Sequence, residues 1–79
     1  MTFSEAVAKR TKELLKTNQM SQYKLIKDTC LDKTTIQTIF KAKTKDVRLS
    51  TVFAIADAFG MTISEFTDAP YFTKDFIVL

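Results

Sequence analysis

The sequence predicts an all-α fold, and three observations support this prediction. One proline and one glycine among 79 residues leave too few turn residues for an all-β domain. Strict alternation of apolar and polar residues does not occur before residue 70. Apolar residues recur instead at helical spacing, and capping residues precede these segments. An apolar fraction of 46% can supply the core of one compact domain.

The first predicted helix begins at Thr2 and extends to about Thr17. Thr2 and Glu5 have capping-box spacing, in which the hydroxyl and the carboxylate each accept a hydrogen bond from the other residue's amide. The apolar stripe of this helix comprises Phe3, Ala6, Val7, Leu14 and Leu15. A second helix is predicted from Ser21, a favourable N-cap, to about Thr29.

The third predicted helix follows the capping residue Asp32, and Leu31 is expected to be buried in the turn before it. Ile36, Ile39 and Phe40 have the i, i+3, i+4 spacing of a core-facing stripe. The opposite face is polar and comprises Lys33, Thr34, Gln37, Thr38 and Lys41. Three threonines in this helix suggest a functional role in binding, because threonine is a mediocre helix former.

Two more helices complete the predicted bundle. Residues 41–48 form a basic, non-periodic loop, and the fourth helix then extends from about Ser50 to Phe59, with Gly60 as its stop signal. A short fifth helix is predicted over residues 62–66. We place the domain at residues 1–70.

Residues 71–79 form a separate tail that is β-prone and ends in four apolar residues. Such a segment is seldom left in water. It can pack back on its own domain, or a short C-terminal β-strand can pair with the same strand of a second molecule as a dimerisation ribbon. The sequence does not distinguish these alternatives.

Charge is distributed unevenly along the chain. The net charge of +3 divides into +2 for residues 1–23, +4 for residues 24–48 and −3 for residues 49–79. The middle segment is therefore expected to attract a polyanion, whereas the last segment is not.

Several function classes are disfavoured. The chain has no histidine, no glycine-rich phosphate loop and no metal-ligand spacing, so we expect neither an enzyme nor a bound cofactor, and no small-molecule ligand is evident. Cys30 is the single cysteine and cannot form an internal disulfide. No apolar run approaches the ~20 residues of a membrane span, and the first residues lack a signal-peptide layout. We therefore expect a cytoplasmic protein that does not enter the membrane.

The segment 14–60 resembles the phage repressor/Cro-like helix-turn-helix domain, the lambda-repressor-like five-helix bundle. The residues that carry the resemblance are Ser21-Gln22, Leu25-Ile26, Leu31-Asp32, Thr35-Ile36 and the run from Leu49 to Gly60. Residues 61–66 resemble the usual fifth helix of this family. The resemblance implies double-stranded DNA as the partner, with the third helix in the major groove.

By this resemblance, Lys33, Thr34 and Thr38 occupy base-facing positions and Gln37 lies close to them. Gln22 matches a glutamine that contacts phosphate, and the basic residues after Phe40 would contact the DNA backbone. The full set of expected DNA-binding residues is Gln22, Lys33, Thr34, Thr35, Gln37, Thr38, Lys41, Lys43, Lys45 and Arg48. The resemblance further implies a transcriptional repressor that acts as a homodimer on paired half-sites.

Two alternatives to DNA binding stay open. The family includes members whose main partner is another polypeptide, such as an antitoxin or an anti-repressor, and the apolar tail suits this role. RNA binding is weaker, because stacking aromatic residues do not cluster in the basic segment.

The chain departs from the family pattern at two important places. Cys30 stands in the turn where the family usually has glycine at positive φ, and we expect it to be a packed structural thiol. Leu15 and Phe40 stand where the family commonly has an arginine and a glutamate joined as a buried ion pair. We expect an apolar contact to replace that pair, which avoids the desolvation cost of two buried charges. Ala42 also replaces the glycine that usually ends the third helix.

Overall fold

The computed structural model describes residues 1–42 and 46–78, and these residues form five helices. They are α1 (Phe3–Thr17), α2 (Gln22–Thr29), α3 (Lys33–Lys41), α4 (Leu49–Ala58) and α5 (Ile63–Phe66). The predicted all-α fold is confirmed. Within the described ranges, none of the helices has the length and apolar character needed to cross a bilayer.

The helix starts follow the predicted caps. The hydroxyl of Thr2 accepts a hydrogen bond from the amide of Glu5 at 3.1 Å, and the Glu5 carboxylate accepts one from the amide of Thr2 at 2.8 Å. The side chains of Ser21 and Asp32 likewise accept from amides three residues later, at 3.1 and 2.7 Å. These local bonds satisfy amides that have no partner within the helix, so they fix where α1, α2 and α3 begin.

Helix α4 differs from the prediction by one residue at each end. It begins at Leu49, and Arg48 at the N-cap makes no side-chain capping bond. It ends at Ala58, and Gly60 follows with φ +68°. No capping side chain marks the start of α4, which explains why the prediction placed it one residue late.

In the core, α1 packs against α3, α2 packs against α4, and α5 packs on α4. The largest fully buried apolar side chains of the core are Phe66, Leu25, Ile36, Ile55, Val7 and Val52. Leu31 is only partly buried, but it packs against this cluster from the turn between α2 and α3.

Leu15 and Phe40, the two positions where an apolar contact was expected in place of an ion pair, both pack on the core. Leu15 is buried in the core cluster, and Phe40 is half-buried and packs against that cluster. The ammonium of Lys12 lies 6.0 Å from the centre of the Phe40 ring. The core at this point therefore contains no charge that must be desolvated.

Cys30 adopts the left-handed conformation, with φ 58° and ψ 16°, at the C-cap of α2. Its side chain is exposed, so the expectation of a packed structural thiol is wrong. The chain turns sharply at this residue, and the next residue, Leu31, takes the position against the core. Ala42 at the C-cap of α3 and Gln19 before α2 also have positive φ, at 49° and 52°.

The tail packs on its own domain. Tyr71 is buried, and its hydroxyl donates a hydrogen bond to the carboxylate of Glu13 in α1. Burial, followed by the hydrogen bond and charge of Glu13, raises the pKa of Tyr71 well above its ordinary value. The ring of Phe72 lies 6.2 Å, centre to centre, from the rings of both Phe3 and Phe66.

The end of the tail is tied to the amino terminus by two main-chain hydrogen bonds. The amino group of Met1 donates to the carbonyl of Phe76 at 2.7 Å, and the amide of Val78 donates to the carbonyl of Met1 at 2.8 Å. Residues 71–78 contain turns and no strand in the single chain, and pairing of the tail with the same segment of a second molecule stays a prediction.

Candidate nucleic-acid interface

Helix α3 has one face in the core and one in solvent. Ile36 and Ile39 are buried and hold the helix against the bundle. Lys33, Thr34 and Gln37 are exposed, as is Lys41 at the end of the helix; Thr35 and Thr38 are half-buried beside them. The predicted polar face of the helix is therefore present, and its side chains can reach a partner in solvent.

One of these hydroxyl groups already donates a hydrogen bond within the helix. The Thr38 hydroxyl donates to the carbonyl of Thr34 at 2.8 Å, the usual back-bond of threonine in a helix. Its oxygen can still accept a hydrogen bond, and its methyl group can still contact an apolar group. Thr38 is therefore suited to accept a hydrogen bond from a base amino group or to contact a thymine methyl group. It is not suited to donate a hydrogen bond to a phosphate.

Asp32 fixes the start of this polar face. Hydrogen bonds from Thr35, the side-chain bond first and the amide bond second, hold the pKa of Asp32 below its ordinary value. The carboxylate is therefore ionised at neutral pH and secures the first turn of α3. Its negative charge also offsets part of the attraction that Lys33 would exert on a polyanion.

A groove separates α3 from the start of α4. It is lined by Thr34, Thr35 and Thr38 on the α3 side and by Arg48, Ser50 and Thr51 on the α4 side. The structure thus brings the exposed guanidinium of Arg48 beside the polar face of α3. The prediction did not include Ser50 and Thr51, although two adjacent hydroxyl residues that follow Arg48 after Leu49 were a signal for them.

Helix α2 presents a different set of groups. Gln22 is exposed in its first turn, directly after the Ser21 cap, and it does not line the groove. The ammonium of Lys24 lies 2.9 Å from the carboxylate of Asp28, in an exposed i, i+4 pair. Such pairs contribute only ~0.3–0.5 kcal/mol, so Lys24 can exchange Asp28 for another anion. Lys43 and Lys45 lie outside the described residues.

The comparison with protein families decides how this arrangement is classified. The model of the Cro/C1-type HTH DNA-binding domain matches residues 10–70, which include about half of α1 and all of α2–α5. The chain belongs to the Cro/C1-type helix-turn-helix family. In this Cro/C1-type protein, α2 and α3 are the two helices of the motif, and the match supports DNA binding and a role in transcription regulation. No significant match was found among curated proteins or among solved structures.

Proposed function

We propose that this Cro/C1-type protein is a cytoplasmic, sequence-specific repressor that binds duplex DNA as a homodimer and acts by binding rather than catalysis. The observation that carries the proposal is the exposed polar face of α3, which Ile36 and Ile39 fix against the core. In this motif the second helix enters the major groove with its N-terminal residues on base edges.

The polar face supplies groups that distinguish bases. Lys33 can donate to O6 and N7 of guanine, and Gln37 can pair with adenine through its amide. Thr34 and Thr38 present methyl groups one turn apart that can contact thymine. These four side chains are proposed to read the DNA sequence.

Other groups are proposed to hold the DNA backbone. Gln22 lies at the start of α2, where helix amides favour a phosphate, and Arg48 lies across the groove from α3. Lys41 extends the positive charge at the end of α3, and Lys43 and Lys45 would add to it. Thr35 lines the groove beside Arg48, so we assign it a supporting backbone contact.

Dimerisation is proposed from geometry. One recognition helix covers only a few base pairs, and paired half-sites in the major groove lie ~34–36 Å apart, one helical turn. The longest dimension of the domain is 33 Å. Two copies placed end to end along this longest axis would lie about 33 Å apart, which supports binding to two half-sites.

A protein-interaction role, as in an antitoxin or an anti-repressor, is the second candidate. It is favoured by the large side chains that α2 and α4 expose to solvent, which are Tyr23, Leu49 and Phe53. Binding to duplex DNA distinguishes the two candidates, because only the first requires a steep loss of affinity as salt rises.

The proposal is tested by titrating duplex DNA at several salt concentrations with the wild type and three lysine variants. Lys33→Ala should lose ~1–3 kcal/mol of discrimination between bases at its position. Lys41→Ala should weaken all sequences alike and reduce the salt slope by about one. Lys9→Ala is the matched control, because the Lys9 ammonium lies 5.3 Å from the centre of the Tyr71 ring, on the tail side of the protein.

Two outcomes would contradict the proposal. Absence of binding to any duplex at low salt would favour the protein-interaction role. A change of base preference in Lys41→Ala but not in Lys33→Ala would overturn the roles given to these residues.

A further inference from the structure

A second groove lies between α1 and the end of α3, and its volume is about 310 Å³. Two lysine side chains line it on the α1 side, and an aromatic ring lines it on the α3 side. The lining residues are Glu5, Ala8, Lys9, Lys12, Phe40 and Ala42. We call this surface the α1 groove. It contains none of the residues that were expected to bind DNA.

The two lysines of the α1 groove are directed to different aromatic rings. The ammonium of Lys12 lies 6.0 Å from the centre of the Phe40 ring, which belongs to α3. The ammonium of Lys9 lies 5.3 Å from the centre of the Tyr71 ring, which belongs to the tail. Both lysines are exposed and lie on the same helix. Only Lys12 is therefore held beside α3.

Lys12 keeps its positive charge available to a partner. An aromatic ring attracts a cation through its quadrupole but has no net charge, so the ring positions the ammonium without neutralising it. Lys12 forms no ion pair with a residue of the described ranges. Both carboxylates of α1 have other partners, because Glu5 accepts from the amide of Thr2 and Glu13 accepts from the hydroxyl of Tyr71. The ammonium of Lys12 can therefore bind an anion from solvent.

The position of Lys12 extends the proposed DNA surface. Phe40 directly precedes Lys41, which is exposed at the end of α3 and is proposed to contact the DNA backbone. Because Lys12 lies next to the Phe40 ring, positive charge continues from the end of α3 onto α1. A polyanion that extends past the end of α3 meets this charge next.

The lining of the α1 groove favours a nucleic-acid backbone over a polypeptide as the occupant. Stable protein interfaces depend on large anchor side chains that fill well-packed pockets. The apolar lining here consists of the half-buried Phe40 and of two alanines, Ala8 and Ala42, and it is too small for such an anchor. A phosphate contact requires only a positioned cation, which Lys12 supplies.

We propose that Lys12 binds a backbone phosphate of the DNA and that the ring of Phe40 positions its ammonium for this contact. This inference rests on the proposed function, since it requires duplex DNA as the partner. It deepens that function by adding a contact from α1, outside the two helices of the motif. The phosphate is expected beside the one that Lys41 contacts.

The first test measures the affinity for a duplex selected from a random pool, by fluorescence anisotropy at several salt concentrations. Loss of one phosphate contact lowers the salt slope by about 0.9, so Lys12→Ala should lose ~3.5-fold less affinity than the wild type between about 50 and 200 mM salt. Lys12→Arg should restore the wild-type slope, because arginine keeps the cation and also stacks on rings. Lys9→Ala is the matched control and should keep the wild-type slope, since Lys9 is directed to the tail.

A scan of neutral phosphates identifies the group that Lys12 binds. Duplexes in which one phosphate at a time is replaced by an uncharged methylphosphonate are titrated with the wild type, Lys12→Ala and Lys9→Ala. At one position the replacement should weaken the wild type and Lys9→Ala but leave Lys12→Ala unchanged, because that variant has already lost the contact.

Phe40→Leu tests the positioning role of the ring. Leucine keeps an apolar side chain against the core but removes the ring, so the coupling between Lys12 and this phosphate should fall while the other phosphates keep their effects. A purely structural role of Phe40 would weaken binding at every phosphate alike. Circular dichroism melting checks that each variant is folded.

Three outcomes would overturn the inference. Equal salt slopes for Lys12→Ala and a wild type that binds the duplex contradict this inference alone. Binding of poly-glutamate that requires Lys12, with DNA binding unaffected by Lys12→Ala, would assign the α1 groove to an acidic protein partner. Failure of the wild type to bind any duplex at low salt contradicts the proposed function and this inference with it.

Discussion

Replacement of Cys30 by glycine should stabilise this protein, because Cys30 holds a backbone conformation that favours glycine. Its φ is 58°, and its side chain is exposed at the end of α2. A Cβ atom in the left-handed region costs ~1–2 kcal/mol, since it approaches the following carbonyl oxygen. Removing the side chain loses little packing at an exposed site.

The expected gain is smaller than the strain itself. Glycine makes the unfolded chain more flexible, which costs ~0.4–1 kcal/mol of stability. The midpoints of these two ranges leave a net stabilisation of about 0.8 kcal/mol for Cys30→Gly. For a domain of this size, that free energy raises the melting temperature by about 2–8 °C.

Urea unfolding followed by circular dichroism measures this gain, and two variants control for it. Cys30→Ala removes the thiol but keeps the Cβ atom, so its free energy of unfolding should stay within ~0.5 kcal/mol of the wild type. Lys27→Gly places glycine inside α2 and should destabilise by ~0.8–1 kcal/mol. Equal stability of Cys30→Gly and Cys30→Ala would refute the attribution of strain to the Cβ atom.

Three further predictions concern the core and a cap. Ser4→Ala should stabilise by about 1 kcal/mol in urea unfolding, because the Ser4 hydroxyl is fully buried and has no hydrogen-bond partner within the described part of the chain; a loss of stability would contradict this. Ile36→Ala should cost ~2–5 kcal/mol in the same assay, since Ile36 is fully buried; a cost below that of Ile36→Val would contradict its place in the core. The lowered pKa of Asp32 means that its contribution to stability is present above the ordinary aspartate pKa of ~4 and is lost as pH falls through the lower folded value. Asp32→Asn should therefore lose less stability than the wild type between pH 7 and acid pH, and an equal loss would contradict the assignment.

The features that the sequence predicted well depend on neighbouring residues. Thr2, Ser21 and Asp32 each bond to an amide three residues away, so the starts of α1, α2 and α3 follow from local signals. The polar face of α3 follows from the spacing of Ile36 and Ile39 in the same way.

The features that the sequence left open or did not show depend on contacts between distant residues. The tail is β-prone, yet Tyr71 bonds to Glu13 and Phe72 packs on Phe3, and these pairs are more than 50 residues apart. Arg10 donates to the carbonyls of Phe66 and Glu65 at 2.6 and 3.0 Å and so ties α1 to the end of α5. No local pattern contains these contacts.

Only part of the candidate site could be predicted, because the rest depends on contacts between distant residues. The exposed residues of α3 share one helix and could be placed from spacing alone. The groove joins them to Arg48, Ser50 and Thr51 across a loop, and that juxtaposition requires the packed bundle.

Selection of bound sequences from a random duplex pool tests the central proposal most directly. The proposal predicts enrichment of a palindrome whose two half-sites lie about one helical turn apart, with guanine, adenine or thymine at the positions that face α3. The wild type should retain this preference at the salt concentration where Lys33→Ala loses it at one position in each half-site. A pool that shows no enriched sequence, or a single half-site without symmetry, would contradict the proposed dimeric repressor.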